Sequence, residues 1–205
     1  MPDQNSGRRA ELLDLAAELF AEHGYRSTTV RDIADAAGIL SGSLYHHFDS
    51  KESMADEILR GFLDSLFGRY AEIVELGLGP RKTLEAIVTA SFEAIDSQQA
   101  AVAIYQNEAK HLTKLERFAY IETRNTEFHR LWTDLLTEGI ADGAFRPDLD
   151  VEVVFRFIRD TVWFAVHWYN PKGSLPVEEI AQQYLTIVLD GIATRRRPAK
   201  RRTDG

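Results

Sequence analysis

The chain has no cysteine. Disulfides, thiolate-ligated metals and a cysteine nucleophile are thereby excluded. Prolines number only six in 205 residues, which leaves long stretches free to run as helix. No apolar run approaches the ~20 residues that span a bilayer. The opening "MPDQNSGRR" lacks the apolar core of a signal peptide, so the expected location is the cytoplasm, with no membrane partner. A surplus of positive charge is missing as well. The net charge of −8 argues against indiscriminate nucleic-acid binding, which rests on neutralising phosphates. Residues 1–54 hold five Arg or Lys (Arg8, Arg9, Arg26, Arg31, Lys51) against nine Asp or Glu. Any contact with DNA there requires the positive groups to share one face.

What the chain does have is a 3.6-residue apolar period almost everywhere. Leu12, Leu13, Ala16, Leu19 and Phe20 predict an amphipathic helix over about 8–23, ended by Gly24. Thr29 offers an N-cap with Asp32 as its capping-box partner. Val30, Ile33, Ala34 and Ala37 give the apolar face of a short second helix closed by Gly38. A third spans 41–48 with Leu44 and Phe48 on one face, and Asp49 caps a long fourth helix that "GLGP" breaks after Leu76. Five more are expected near 80–97, 99–112, 115–140, 150–169 and 176–195. Asp150 is the expected cap of the fourth of these, and Gly/Pro turns flank it. The expectation is an all-α chain of about nine helices, with a small domain over 8–54, a larger one over 55–195 and disordered polar ends at 1–7 and 196–205. The basic run Arg195, Arg196, Arg197, Lys200, Arg201, Arg202 reads as a solvated tail.

Catalytic chemistry finds little support. "ILSGSLY" is not a nucleophile elbow, which would follow a strand, and no glycine loop is built to cradle phosphate. The six histidines never fall at i, i+4 or in an H-E-x-x-H arrangement. No catalytic residue, cofactor or metal ligand is expected.

The second and third helices, joined by "AGIL", have the layout of a helix-turn-helix, whose second helix enters the major groove. The first turn of that helix, Ser41-Gly42-Ser43, has tiny side chains that permit close approach. With Leu44 and Phe48 turned inward, Ser41, Ser43, Tyr45, His46 and His47 face outward. Hydroxyl, phenol and imidazole groups hydrogen-bond phosphates or bases without permanent charge. Lys51, at the start of the fourth helix, suits a phosphate. Thr28, Thr29 and Arg31 supply a second contact row. On spacing alone a solvated turn between two bundle helices remains the alternative.

At these residues the chain resembles the TetR-type transcriptional regulators. Their pattern, a helix ending in G-[YF] and then T-T-x-x-x-I-A-x-x-A-G-[VI]-[ST]-x-G-[ST]-L-Y-x-H-F-x-[SN]-K-E, is met by Gly24-Tyr25 and "TTVRDIADAAGILSGSLYHHFDSKES" at nearly every fixed position. Leu40 departs from it, standing where Ser or Thr is usual, so that Ser41 is expected to cap in its place. The resemblance implies a three-helix DNA-binding domain, a larger helical ligand domain, a homodimer through the last two helices, and double-stranded operator DNA as partner.

Past residue 54 the helix "VEVVFRFIRDTVWFAVHWY" is apolar almost all round, and the next carries a stripe of Ile180, Tyr184, Ile187, Val188 and Gly191. Together they fit a symmetric four-helix interface, with an intramolecular core as the alternative. Arg159 interrupts the first of them, with Trp163 one turn on. If buried, such an arginine needs an acidic partner, an aromatic face or an anionic ligand. Over "AVAIYQNEAKHL", "FRPDLDVE" and "IRDTVWFAVHWY" the chain is similar to the actinobacterial TetR-type repressors of the late, ring-degrading stage of sterol catabolism. That similarity implies a palindromic operator and a coenzyme A thioester of a bicyclic, indane-type propanoate as effector. Arg159 and Trp163 match that group's effector pair, and Tyr105 and Trp132 are expected to line the rest of the cavity. The rivals are a regulator of fatty-acid degradation sensing linear acyl-CoA, and an all-α carrier or enzyme that binds no DNA.

Overall fold

The structure is a computed structural model and describes residues 4–192; the expected basic tail lies outside the described residues. These residues form nine α-helices and two short 3-10 turns, with no strand among them. The first helix, α1 (Gln4–His23), starts earlier than the expected residue 8 and stops at Gly24, whose φ of 85° a side chain would strain. Helix α2 (Val30–Ala36) carries the expected capping box: the Asp32 amide donates to Thr29 Oγ1, and the Thr29 amide donates back to the Asp32 carboxylate. Helix α3 (Ser41–Leu44) is a single turn rather than a helix to 48. Its N-cap is Leu40, with no side-chain cap, and Ser41 lies inside the helix, so Ser41 does not take over the capping role.

Helix α4 (Lys51–Glu75) is the longest element, and Ser50, not Asp49, caps it, with Ser53 returning the bond. Both Asp and Ser are good caps, and the register is decided by the reciprocal Ser50–Ser53 pair. One face of α4 is buried from Met54 to Ile73. Helix α5 (Pro80–Ser97) starts at a Gly79-Pro80 step, with proline where its missing N–H is harmless. It is the central rod of the larger unit and packs against α4, α6 (Gln99–Leu112), α7 (Tyr120–Ala141), α8 (Val151–Trp163) and α9 (Val177–Ile192). The fully buried hydroxyl of Ser91 is satisfied: Ser91 Oγ donates to the Ile87 carbonyl at 2.7 Å and meets Tyr70 Oη of α4 at 2.6 Å.

Two expected helices are shorter than their apolar pattern. A 3-10 turn over Glu116–Phe118 precedes α7, and α8 tightens into a second one at Phe164–His167. Asp150 caps α8 as expected, its carboxylate accepting from the Val153 amide. The loop after α7 folds back at Gly139, where an added Cβ would sit 2.1 Å from the Phe145 ring. Arg146 then fastens the end of α9, its backbone N–H donating to the Ile192 carbonyl and its Nη1 to the Gly191 carbonyl, both at 2.9 Å. Buried side chains form one cluster from Leu12 of α1 through α4 and α5 to Ile192 of α9. The three-helix unit is therefore held to the rest through α1, α4 and α6, not hung from a linker.

Candidate functional site

Helices α2 and α3 are seated by Ile33, Ala34, Leu44 and Phe48, all buried. The Arg9 guanidinium lies 4.5 Å above the Phe48 ring and pairs with both Glu57 oxygens, so α1, the turn after α3 and α4 are locked together. Arg8 Nη2 donates to the Ala37 carbonyl at the end of α2. The surface this leaves outward carries Thr29, Arg31, Gly42, Tyr45 and His46 exposed, with Ser41, Ser43 and His47 half-buried. Arg31 has only a loose 3.7 Å pair with Asp35. Hydrogen bonds from Thr29 hold the exposed Asp32 carboxyl below its ordinary pKa.

Two expected contact residues are placed otherwise. Thr28 is buried, and its hydroxyl donates to the Leu19 and Gly24 carbonyls at the end of α1, so it closes that helix and presents nothing to a partner. Lys51 is not a free cation at a helix start. Its Nζ donates to the carbonyl oxygens of Tyr25 (2.7 Å) and Thr28 (2.8 Å) and stands 4.4 Å above the Tyr25 ring. Desolvation lowers its pKa, against the pull of the Glu108 and Glu52 carboxylates. Lys51 ties α4 to the loop between α1 and α2. Its tertiary partners are carbonyls of a loop, which no sequence spacing reveals.

A second feature lies between α4, α6, α7 and α8. It is a cavity of about 70 Å³ walled by Phe62, Phe67, Tyr105, Phe128 and Trp163, with Gln106, Asn125 and Arg159 as its polar groups. Phe62 meets Tyr105 and Trp163 edge-on at 5.9 and 6.1 Å, and Phe128 faces Trp163 at 6.4 Å. The Tyr105 hydroxyl donates to the Asn125 side-chain oxygen, and burial pushes the phenol up to about 12. An apolar wall with few converging polar groups is the ordinary make-up of a small-molecule site, but such sites usually measure ~300–1,000 Å³. This one holds about two waters' worth of space at ~30 Å³ each. Two larger hollows, about 530 Å³ between α4, α5 and α9 and about 430 Å³ between α1, α4 and the α5–α6 corner, are open grooves edged by charged side chains.

Arg159 and Trp163 come together there as expected, but Arg159 is not buried. Its side chain is 44% exposed at the cavity mouth, with Nε 2.6 Å from Asp160 and the guanidinium 5.3 Å from the Phe155 ring. The acidic partner is thus its own neighbour, and the aromatic partner is Phe155, not Trp163. Trp132 does not line the cavity. It is 1% exposed and packed behind Phe128 with the rings tilted and 5.9 Å apart, and its Nε1 has no hydrogen-bond partner among the described residues. No sequence signal marks Phe62, Phe67 and Phe128 as cavity walls. They lie on the buried faces of long amphipathic helices, where every aromatic looks like core.

The two features meet on α6. Tyr105 walls the cavity, while Glu108, one turn on, stands beside Gly24, where an added Cβ would lie 3.5 Å from its Oε1. On the far side of α8 and α9, Phe157 (68% exposed), Phe164, Trp168 and Ile187 (73% exposed) present large apolar groups to solvent. The helix that read as apolar all round therefore has one face in the core and another unburied. Among the described residues no three His, Asp or Glu side chains converge to hold a metal ion, and no helix is long and apolar enough to cross a membrane.

Family models match two stretches: "Bacterial regulatory proteins, tetR family" over residues 12–58 and "Tetracyclin repressor-like, C-terminal domain" over 77–192. The HTH-type transcriptional repressor KstR2 of Rhodococcus jostii (strain RHA1) is 68% identical over 189 residues, 92% of this chain and 93% of that protein. The solved structure of the ketosteroid transcriptional regulator KstR2 of Mycobacterium tuberculosis superposes with a TM-score of 0.90 at 58% identity, covering 92% of this chain and 96% of that one. AibR, solved in complex with isovaleryl coenzyme A and operator DNA, shares the fold with a TM-score of 0.76 at 24% identity, over 88% of this chain and 97% of its own. The similar curated proteins are regulators, not enzymes.

Proposed function

The chain belongs to the TetR family of transcriptional regulators, and from that premise we propose that it is a homodimeric repressor, released from a palindromic operator by the coenzyme A thioester of a bicyclic, sterol-derived acid. The observation that carries the reading is a single juxtaposition. The aromatic cavity with one guanidinium at its mouth is walled by α4 and α6, the same helices that pack on α1, against which α2 lies.

The operator side follows from chemistry. The outward surface of α2 and α3 offers Tyr45, His46, Ser41, Ser43 and the backbone at Gly42, together with the loosely paired cation Arg31. Such a surface reads groups by hydrogen bonds more than by bulk charge, in keeping with an acidic protein. One module this small contacts too few base pairs for useful specificity, so two copies are needed on an inverted repeat. The unburied Phe157, Phe164, Trp168 and Ile187 supply a face on which α8 and α9 pack against their symmetry mates.

On the effector side, the bicyclic ring enters among Phe62, Phe128 and Trp163. The Arg159 guanidinium, permanently charged and half in solvent, donates to a carbonyl or phosphate oxygen of the thioester. The ring does not fit the present 70 Å³, so binding selects a conformation in which α4, α6 and α8 stand further apart. Lys51 couples movement of α4 to the α1–α2 loop, and the packing of α6 on α1 couples movement of α6 to the three-helix unit. Release requires that the thioester bind the widened conformation better than the operator-bound one.

By linkage, operator must weaken thioester binding by the factor with which thioester weakens operator binding. Calorimetric titration of the bicyclic propanoyl-CoA into the dimer, alone and on operator, tests this. The expected result is a dissociation constant raised at least tenfold on operator. An unchanged constant refutes the release mechanism, and equal effects from a straight-chain acyl-CoA refute the bicyclic effector.

A further inference from the structure

Leu40 has the greatest exposure of any large apolar side chain among the described residues, 81%. It stands immediately before α3, where the family pattern carries Ser or Thr. With φ −74° and ψ 143° it has the backbone of an N-cap, and its carbonyl accepts from the Ser43 amide at 2.8 Å, but its side chain caps nothing. A hydroxyl here would satisfy a free first-turn N–H and stabilise the helix. Leucine forgoes that and, at this exposure, gains no compensating burial in the protein. Its immediate successors, Ser41, Gly42 and Ser43, are short. Leu40 therefore stands above them as the one bulky apolar group at the leading end of the helix.

Major-groove edges are polar except for one group, the C5-methyl of thymine. The geometry points to Leu40 as a specificity-determining residue that packs on a thymine methyl in each half-site. This rests on the reading of α2 and α3 as an operator-binding surface. A residue without donors or acceptors selects by burying that methyl, so it discriminates thymine from the other bases without a hydrogen bond. Burial of one methyl-sized group is worth about fourfold in affinity, and two half-sites together roughly fifteenfold.

The test replaces each thymine of an operator fragment, enriched by the wild-type protein from a randomised duplex pool, with uracil, which removes only the methyl. Binding is measured by fluorescence anisotropy at one salt concentration, since affinity shifts with salt. For the wild type, one symmetry-related thymine pair should be sensitive by roughly fifteenfold. In Leu40→Ala that pair should become insensitive, while effects at other positions persist. Leu40→Ser should melt higher, because the cap returns, yet stay insensitive at the same pair. Higher stability with lost discrimination separates base reading from a structural role at the helix start. A wild type indifferent to every methyl, or a Leu40→Ala that keeps the full effect, overturns the assignment of Leu40. A pool that yields no enriched fragment overturns the operator reading itself.

Discussion

The Lys51 ammonium donates to the Tyr25 carbonyl at 2.7 Å and lies 4.4 Å above the ring of the same residue. One lysine thus closes the start of α4 onto the loop that launches α2. A phosphate-binding lysine and a structural lysine make different predictions. Loss of one phosphate contact leaves folding intact and makes the salt dependence of binding shallower by about one unit per site. Lys51→Met should instead destabilise the fold by ~1–3 kcal/mol, since it strands two backbone carbonyls that accept from a charged donor. The slope of log K against log salt should change by less than one unit. Thermal melting beside a salt series on operator distinguishes the two.

Ile187 makes a second case. At 73% exposure, a charge placed there should be harmless to the fold of one subunit and ruinous to a symmetric face. Ile187→Glu is expected to sediment as a monomer at micromolar concentration with an unchanged far-ultraviolet spectrum, and to lose operator binding. A wild type that itself sediments as a monomer would contradict the dimer.

For the proposed effector pair, exposure decides the expected cost. Arg159 is paired at the surface with its neighbour Asp160, and such pairs contribute ~0–1 kcal/mol. Arg159→Met should therefore melt within that margin of the wild type and bind operator normally, while weakening thioester binding at least tenfold. Trp163 is buried against Phe62 and Phe128. Trp163→Leu should lower stability by ~1–3 kcal/mol and lose release by the thioester. Normal release by either variant removes that residue from the site.

Alkaline pH gives a prediction from burial alone. Desolvation raises the Tyr105 and Tyr184 phenols to about 12 in the folded chain, against 10.0 for an exposed tyrosine. Between these values the unfolded chain has released protons that the folded chain still holds. The stabilisation is therefore complete below pH 10 and lost as pH rises through 12, by up to ~1.4 kcal/mol per pH unit for each tyrosine. Denaturant midpoints measured across that window should fall with pH. A midpoint that stays flat contradicts the burial of these rings.

How far the sequence was legible follows from what each signal depends on. The Thr29–Asp32 capping box, the Gly24 stop, the inward Leu44 and Phe48 and the Asp150 cap are local, and the structure has each of them. Lys51, Thr28 and Trp132 went elsewhere because their surroundings are set by segments distant in sequence or by loop carbonyls. Helix α8 illustrates both sides. Its apolar run is real, but the run serves two faces, with Phe155, Ile158 and Val162 inside and Phe157 and Phe164 outside, and it tightens into a 3-10 turn after Trp163. Period alone cannot divide an all-round apolar pattern between a core and an open face. The cavity walls Phe62, Phe67 and Phe128 were illegible for the converse reason, since an aromatic that borders a small void and one that fills a core have the same spacing.

Release from DNA is the central claim. A fluorescent duplex carrying the inverted-repeat operator, saturated with protein, should lose its anisotropy as the bicyclic propanoyl-CoA is added, while the protein remains a folded dimer by sedimentation. The free acid without coenzyme A and a straight-chain acyl-CoA should leave the complex standing at the same concentrations. A complex that survives saturating bicyclic thioester, with binding of that thioester verified separately, would contradict the account.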